Sequence, residues 1–108
     1  MKVRENLRKL LDELPSSVRL VAVSKTIPTE LILEVYNAGQ RLFGENRAQE
    51  LISKQPLLPS DIEWHFIGHL QTNKIKYIVP FVSMIESVDR LKLLLEINKE
   101  AIKYNRTI

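Results

Sequence analysis

Apolar residues recur along this chain at two different periods, and the periods alternate. Over 2–14, Val3, Leu7, Leu10, Leu11 and Leu14 fall at helical spacing with charges between them, and Pro15 follows as a stop. The stretch 18–24, VRLVAVS, is apolar, β-branched and too short for a helix, so it reads as a buried strand. A helix over 29–38 comes next. Pro28 stands where a first-turn proline is tolerated, Leu31, Ile32, Val35 and Ala38 share a face, and Gly39 is positioned as the C-terminal cap. The pattern then repeats. RLFGEN (41–46) is a strand leading into a helix that carries Ala48, Leu51 and Ile52 and closes at the proline-rich break over 56–60. IEWHFIG (62–68) is a third strand, followed by a helix over 72–79 that Pro80 ends. FVSMIES (81–87) is a fourth. Asp89 is expected to cap a helix over 90–104 whose apolar positions are Leu91, Leu94, Leu95, Ile97, Ala101 and Ile102. The final RTI reads as the opening of a fifth strand.

Four strand–helix units in succession predict an α/β fold with a parallel sheet and helices outside it. An open doubly wound sheet and a (β/α)8 barrel both satisfy that pattern. The turn after the first strand, SKTIPT, is neither G-x-G-x-x-G nor a Walker loop, which weakens the nucleotide-binding alternative. A complete barrel needs roughly 250 residues. The 108 residues here are therefore expected to form one partial domain, about half a barrel behind an N-terminal helix.

Composition narrows the partners. Apolar residues make up 44% and charged ones 27%, ordinary globular usage. The chain has no cysteine, which excludes disulfides and thiolate metal sites and suits the cytoplasm. The first 14 residues have no apolar core of the signal-peptide type, and no run approaches the roughly 18 apolar residues of a membrane span. A net charge of +3 is spread over 16 basic and 13 acidic residues without a basic block, so neither a membrane nor a nucleic acid is expected as partner.

In a barrel the functional residues stand at the C-terminal ends of the strands. That rule selects Ser24, Lys25 and Thr26, then Glu45 and Asn46, then Gly68 and His69, and finally Ser87 to Asp89. Lys25 has two readings. It is a solvated charge marking the strand end, or an amine whose pKa is lowered at a poorly hydrated mouth, able to attack an aldehyde. Asn46 orients a ring oxygen of a ligand or caps the following helix. Glu45 is a general base or an ion-pair partner of Lys25. His65 and His69 are four apart, but HFIGH runs through a strand into a glycine turn with no third ligand nearby, which disfavours a metal site. Trp64 and Phe66 alternate with His65 and are expected on the opposite, helix-packed face. The SVD of 87–89 is expected to supply helix-capping hydrogen bonds.

Taken together, LVAVSKT (20–26), AGQRLFGENRAQE (38–50), WHFIGHLQTNK (64–74) and ESVDR (86–90) resemble the pyridoxal phosphate (PLP) homeostasis proteins, single-domain members of the alanine-racemase-like barrel superfamily. The resemblance covers essentially the whole chain and implies that it is the N-terminal half of the (β/α)8 barrel. It implies that Lys25 forms the Schiff base with PLP, that Asn46 lines the cofactor pocket, and that HFIGHLQTNK builds the adjoining rim. The cofactor-binding set taken from it is Lys25, Asn46, His65 and Ser87. The second domain that carries the catalytic tyrosine of alanine racemases has no counterpart here, so no turnover is expected. The phosphate-gripping residues of the family lie beyond the fourth unit, so weak PLP binding is expected of these 108 residues. The alternative function is a half-barrel structural or binding module without cofactor. The open edges and inner face of half a barrel imply self-association, or pairing with a C-terminal half-barrel.

Overall fold

The computed structural model describes residues 2–15 and 17–108. Helix α1 (Lys2–Glu13) leads into β1 (Ala22–Val23), α2 (Thr29–Asn37), β2 (Leu42–Glu45), α3 (Ala48–Lys54) and a short 3-10 turn, Gln55–Leu57. Then come β3 (Glu63–Phe66), a second 3-10 turn (Thr72–Lys74), α4 (Ile75–Ile78), β4 (Val82–Ile85) and α5 (Leu91–Lys103). The four strands pair in sequence order, β1-β2-β3-β4, and every pairing is parallel. Strand followed by helix, with each strand laid beside the last, is the α/β half-barrel the sequence predicts.

The sheet has two unlike faces because side chains alternate along each strand. On the helix side, Phe43, Trp64, Phe66 and Val82 are buried with Ile32, Leu51, Leu70, Ile75, Ile78, Val79, Leu93 and Ile97 in one core cluster. Phe43 and Trp64 sit with ring centroids 5.9 Å apart at a tilt of 45°. Each such ring removed from water stabilises the fold by about 1.5–3 kcal/mol. Trp64 and Phe66 thus occupy the face assigned to them. On the other side, Val23 and Met84 are about half exposed, and Val21 and Ile67 flank Gly44. The register shifts between Trp64 and His65, so that His65 pairs with Met84 while Trp64 pairs with Val82.

At the N-terminal ends of the strands a polar cluster ties the layers together. Arg41 lies 3.8 Å from the centroid of the Tyr36 ring and 3.1 Å from Asp61, and the Tyr36 hydroxyl donates to Asp61 at 2.5 Å. The Tyr36 hydroxyl holds the Asp61 carboxyl below its ordinary pKa, and the same bond raises that of Tyr36.

Several boundaries differ from expectation. Strand one is only Ala22–Val23, although Ser24 N–H still donates to Gly44 O at 3.0 Å and continues the pairing one residue further. The helix over 72–79 divides into a 3-10 turn and a single α-turn. Asp89 is not the cap of α5. Arg90 is, in extended backbone and with no side-chain bond to the first turn. Residues 106–108 form no strand. Arg106 instead donates to the carbonyls of Val79 and Val82, both at 2.7 Å, which pins the segment to the start of β4. In α1, Leu7 is buried but Leu10 and Leu11 are exposed, so only part of the apolar stripe has a partner. The side chain of Val3, also expected on that stripe, lies outside what is described. Gly39, at φ +114, ends α2 as anticipated.

Candidate functional site

Because the strands are parallel, their C-terminal ends share one rim. Past β1, Ser24 is buried on the helix side, Lys25 is exposed, and Thr26 takes φ 61. Lys25 and Thr26 form the turn beyond the strand end, where the Lys25 side chain meets solvent. Among the described residues the Lys25 amine has no hydrogen-bond or ion-pair partner. Asn46 follows β2, and its Oδ1 is buried without a partner among those residues. Past β3, Ile67 N–H donates to Glu45 O at 2.8 Å, and Gly68 is packed against the Asn46 backbone. Past β4, Ser87 Oγ donates to Gly68 O. His65 sits lower on the same face, with Nδ1 3.0 Å from Glu86 Oε1.

Three expectations need correcting. Glu45 does not pair with Lys25. It lies two residues from Phe43, so alternation sends it to the helix side, where it is fully buried and bonded to Lys54 at 3.1 Å. Asn46 caps no helix: Arg47 is the N-cap of α3, without a side-chain bond, and the Asn46 oxygen is left unpartnered. Ser87 supplies no cap either, because its hydroxyl is turned back to the Gly68 carbonyl across the strand tips. His65 and His69 do not converge: His65 is buried on Glu86, and His69 is exposed, lining a cleft of about 310 Å3 with Asn46, Arg47, Gln49, Gln71 and Lys74. Among the described residues no group of three potential metal ligands is assembled, and no described helix is long and apolar enough to cross a membrane.

No family model matches the chain. Curated proteins do. The pyridoxal phosphate homeostasis protein of Aquifex aeolicus is 51% identical over 88 residues, 81% of this chain and 39% of that protein. Its namesake in Mus musculus is 44% identical over 105 residues, 90% of this chain and 38% of that protein. The chain belongs to the pyridoxal phosphate homeostasis protein family. Solved structures of PipY from Synechococcus elongatus agree at a TM-score of 0.91. One, without PLP, is 44% identical, and one with PLP bound is 45% identical. They cover 97% and 96% of this chain, which spans half of PipY and about two-fifths of the curated relatives.

Two residues of this family member escaped the sequence reading, Glu50 and Lys54. Lys54 is nearly buried, donating to Ser24 O at 2.7 Å, to Glu45 and to Glu50 Oε2 at 2.5 Å. Their spacing held the signal. Lys54 follows buried Leu51 by three and Glu50 by four, which puts it on the packed face of α3 beside an acid. The Lys54 ammonium holds the Glu50 carboxyl below its ordinary pKa, with help from the Thr26 N–H and the Arg47 charge and against the opposing effect of burial. Glu50 therefore stays ionised through neutral pH.

Proposed function

We propose that this chain takes part in holding pyridoxal 5′-phosphate, with Lys25 as the covalent anchor, as a cytoplasmic cofactor carrier rather than a catalyst. The observation that carries the reading is the Lys25 amine, exposed on the strand rim and free of any partner among the described residues. The cofactor supplies an aldehyde that condenses with a primary amine, releasing water and forming a carbon–nitrogen double bond. The groups present fit that chemistry: an unengaged amine for the aldehyde, and the unpartnered Asn46 Oδ1 to accept a hydrogen bond from a ring hydroxyl. His65, oriented by Glu86, contributes a wall on the open face, and Ser87 fixes the Gly68 turn beside Asn46. The names of the relatives and the PLP-bound PipY support the assignment. The affinity of these 108 residues for PLP is expected to be modest.

The test is direct. Purified chain is titrated with PLP, the visible absorbance is followed, borohydride fixes the product, and the adduct is mapped. One adduct at Lys25 is expected, absent in Lys25→Ala, with the unfolding midpoint of that variant essentially unchanged. Label scattered over the exposed lysines, and undiminished in Lys25→Ala, would leave only a half-barrel module without cofactor.

We also infer that the 108 residues form one partial barrel domain whose open ends associate. In support, among the described residues β1 and β4 each have a single neighbour in the sheet, and an apolar cleft of about 190 Å3 lies between β1 and α2. On α5, Leu91, Leu94, Leu95 and Ile102 form an exposed stripe at helical spacing. The occupant is a second copy or a complementary C-terminal half-barrel. Sedimentation velocity of the chain alone should show concentration-dependent dimers, whereas a compact monomer across the whole range would count decisively against association.

A further inference from the structure

The charges behind the Lys25 turn have no part in the chemistry above. Glu45 is fully buried and Lys54 nearly so, both on the helix side of the sheet. All three Lys54 donors are occupied, by the Ser24 carbonyl, Glu45 and Glu50. Ser24 Oγ donates to the same Glu45 oxygen that Lys54 contacts. Glu50 Oε2 also accepts the Thr26 N–H at 2.6 Å. Groups on both sides of Lys25 are thus tied to a single buried charge cluster. Between these ties Thr26 keeps φ 61, a left-handed conformation that a β-branched residue rarely adopts. Backbone of that kind persists where the surroundings impose it, and such places cluster at functional sites.

We propose that the Glu45, Lys54 and Glu50 cluster is a positioning device for Lys25. It fixes the turn at Ser24 and at Thr26, leaves Lys25 few backbone orientations, and directs its amine to the open rim. The inference rests on the reading of Lys25 as the cofactor anchor. Lys54 is not itself the anchor, since its donors are occupied and it is 7% exposed. The division of labour is one buried lysine that holds the turn and one exposed lysine that reacts. Glu50 is the handle for a test, because its side chain is 20% exposed and tolerates change better than Glu45.

The experiment compares wild type, Glu50→Ala and Glu50→Gln by amide exchange at Thr26 and by the rate of PLP capture at Lys25. In Glu50→Ala, Thr26 exchange should accelerate and capture at Lys25 should slow on the order of tenfold, while adducts at other lysines and the unfolding midpoint change little. Glu50→Gln keeps an oxygen acceptor for the Thr26 N–H and should recover most of the rate, a rescue that a merely structural role would not produce. Should Glu50→Ala fail to fold, the glutamine variant carries the comparison with a smaller decrease. Unchanged capture, or unchanged Thr26 protection, in a folded variant overturns the proposal. If wild type captures no PLP at Lys25, the cofactor reading fails separately. Competitive acetylation then decides positioning: a Lys25 pH profile displaced in Glu50→Ala supports it, and a superimposable one overturns it.

Discussion

Lys54→Met should destabilise the fold by about 3–5 kcal/mol at neutral pH, and adding Glu45→Gln should restore most of the loss. The reasoning starts from Glu45, which is fully buried and whose Oε1 has no partner among the described residues. Its ion-pair partner there is Lys54, at 3.1 Å. Methionine fills a similar volume but leaves a carboxylate in an apolar layer with one hydroxyl, that of Ser24, to solvate it. The Ser24 carbonyl also loses its 2.7 Å donor. Breaking a buried pair from one side costs far more than removing both charges, because the cost is that of the stranded ion. Urea unfolding of both variants at neutral pH measures each part. A single variant within about 1 kcal/mol of the parent at neutral pH would show that the pair is dispensable.

The succession of elements was legible because it depends on period and punctuation, which are local. Pro15, Pro28 and Gly39 stand at the expected junctions, and the alternation around Trp64, His65 and Phe66 was read on the correct faces. The errors of side-chain direction share one cause. Residues at strand tips were treated as though all of them pointed into the mouth. Alternation persists as far as Ser24 and Glu45, which are buried, whereas Lys25 lies exposed in the turn beyond. Counting from Phe43 would have placed Glu45 with the core and left Lys25 without its supposed partner.

The helix caps failed for a different reason. Polar side chains near a helix start can take other partners that propensity does not reveal. Ser87 found a carbonyl across the strand tips, at Gly68. The buried cluster was invisible from composition, because Lys54 looks like any solvated helical lysine until Leu51 is known to be buried. Sequence motifs point to Lys25 as the proposed anchor. The Glu45–Lys54 contact between β2 and α3, behind its turn, is one that only the fold supplies.

Gly68→Ala should be the most damaging single-methyl change in the rim, at about 3 kcal/mol, the upper end for overpacking. The methyl would stand 2.1 Å from Asn46 O, 2.6 Å from its Cα and 2.7 Å from its carbonyl carbon. All three are backbone atoms, so no side chain can swing aside, and the tips of β2 and β3 must separate. Separation strains the 2.8 Å bond from Ile67 N–H to Glu45 O and the contact from Ser87 to Gly68. Gly39→Ala is the control, since there the added methyl meets nothing within 4 Å and the penalty is that of a left-handed residue alone, about 1 kcal/mol. The two alanine variants therefore separate crowding from backbone conformation. Gly68→Ala carries a functional consequence as well. Asn46 is the backbone that has to move, so PLP capture at Lys25 should weaken in any Gly68→Ala protein that remains folded. Equal unfolding midpoints for Gly68→Ala and the parent would mean that β2 and β3 do not approach this closely, and the packing of Gly68 on Asn46 would fall with it.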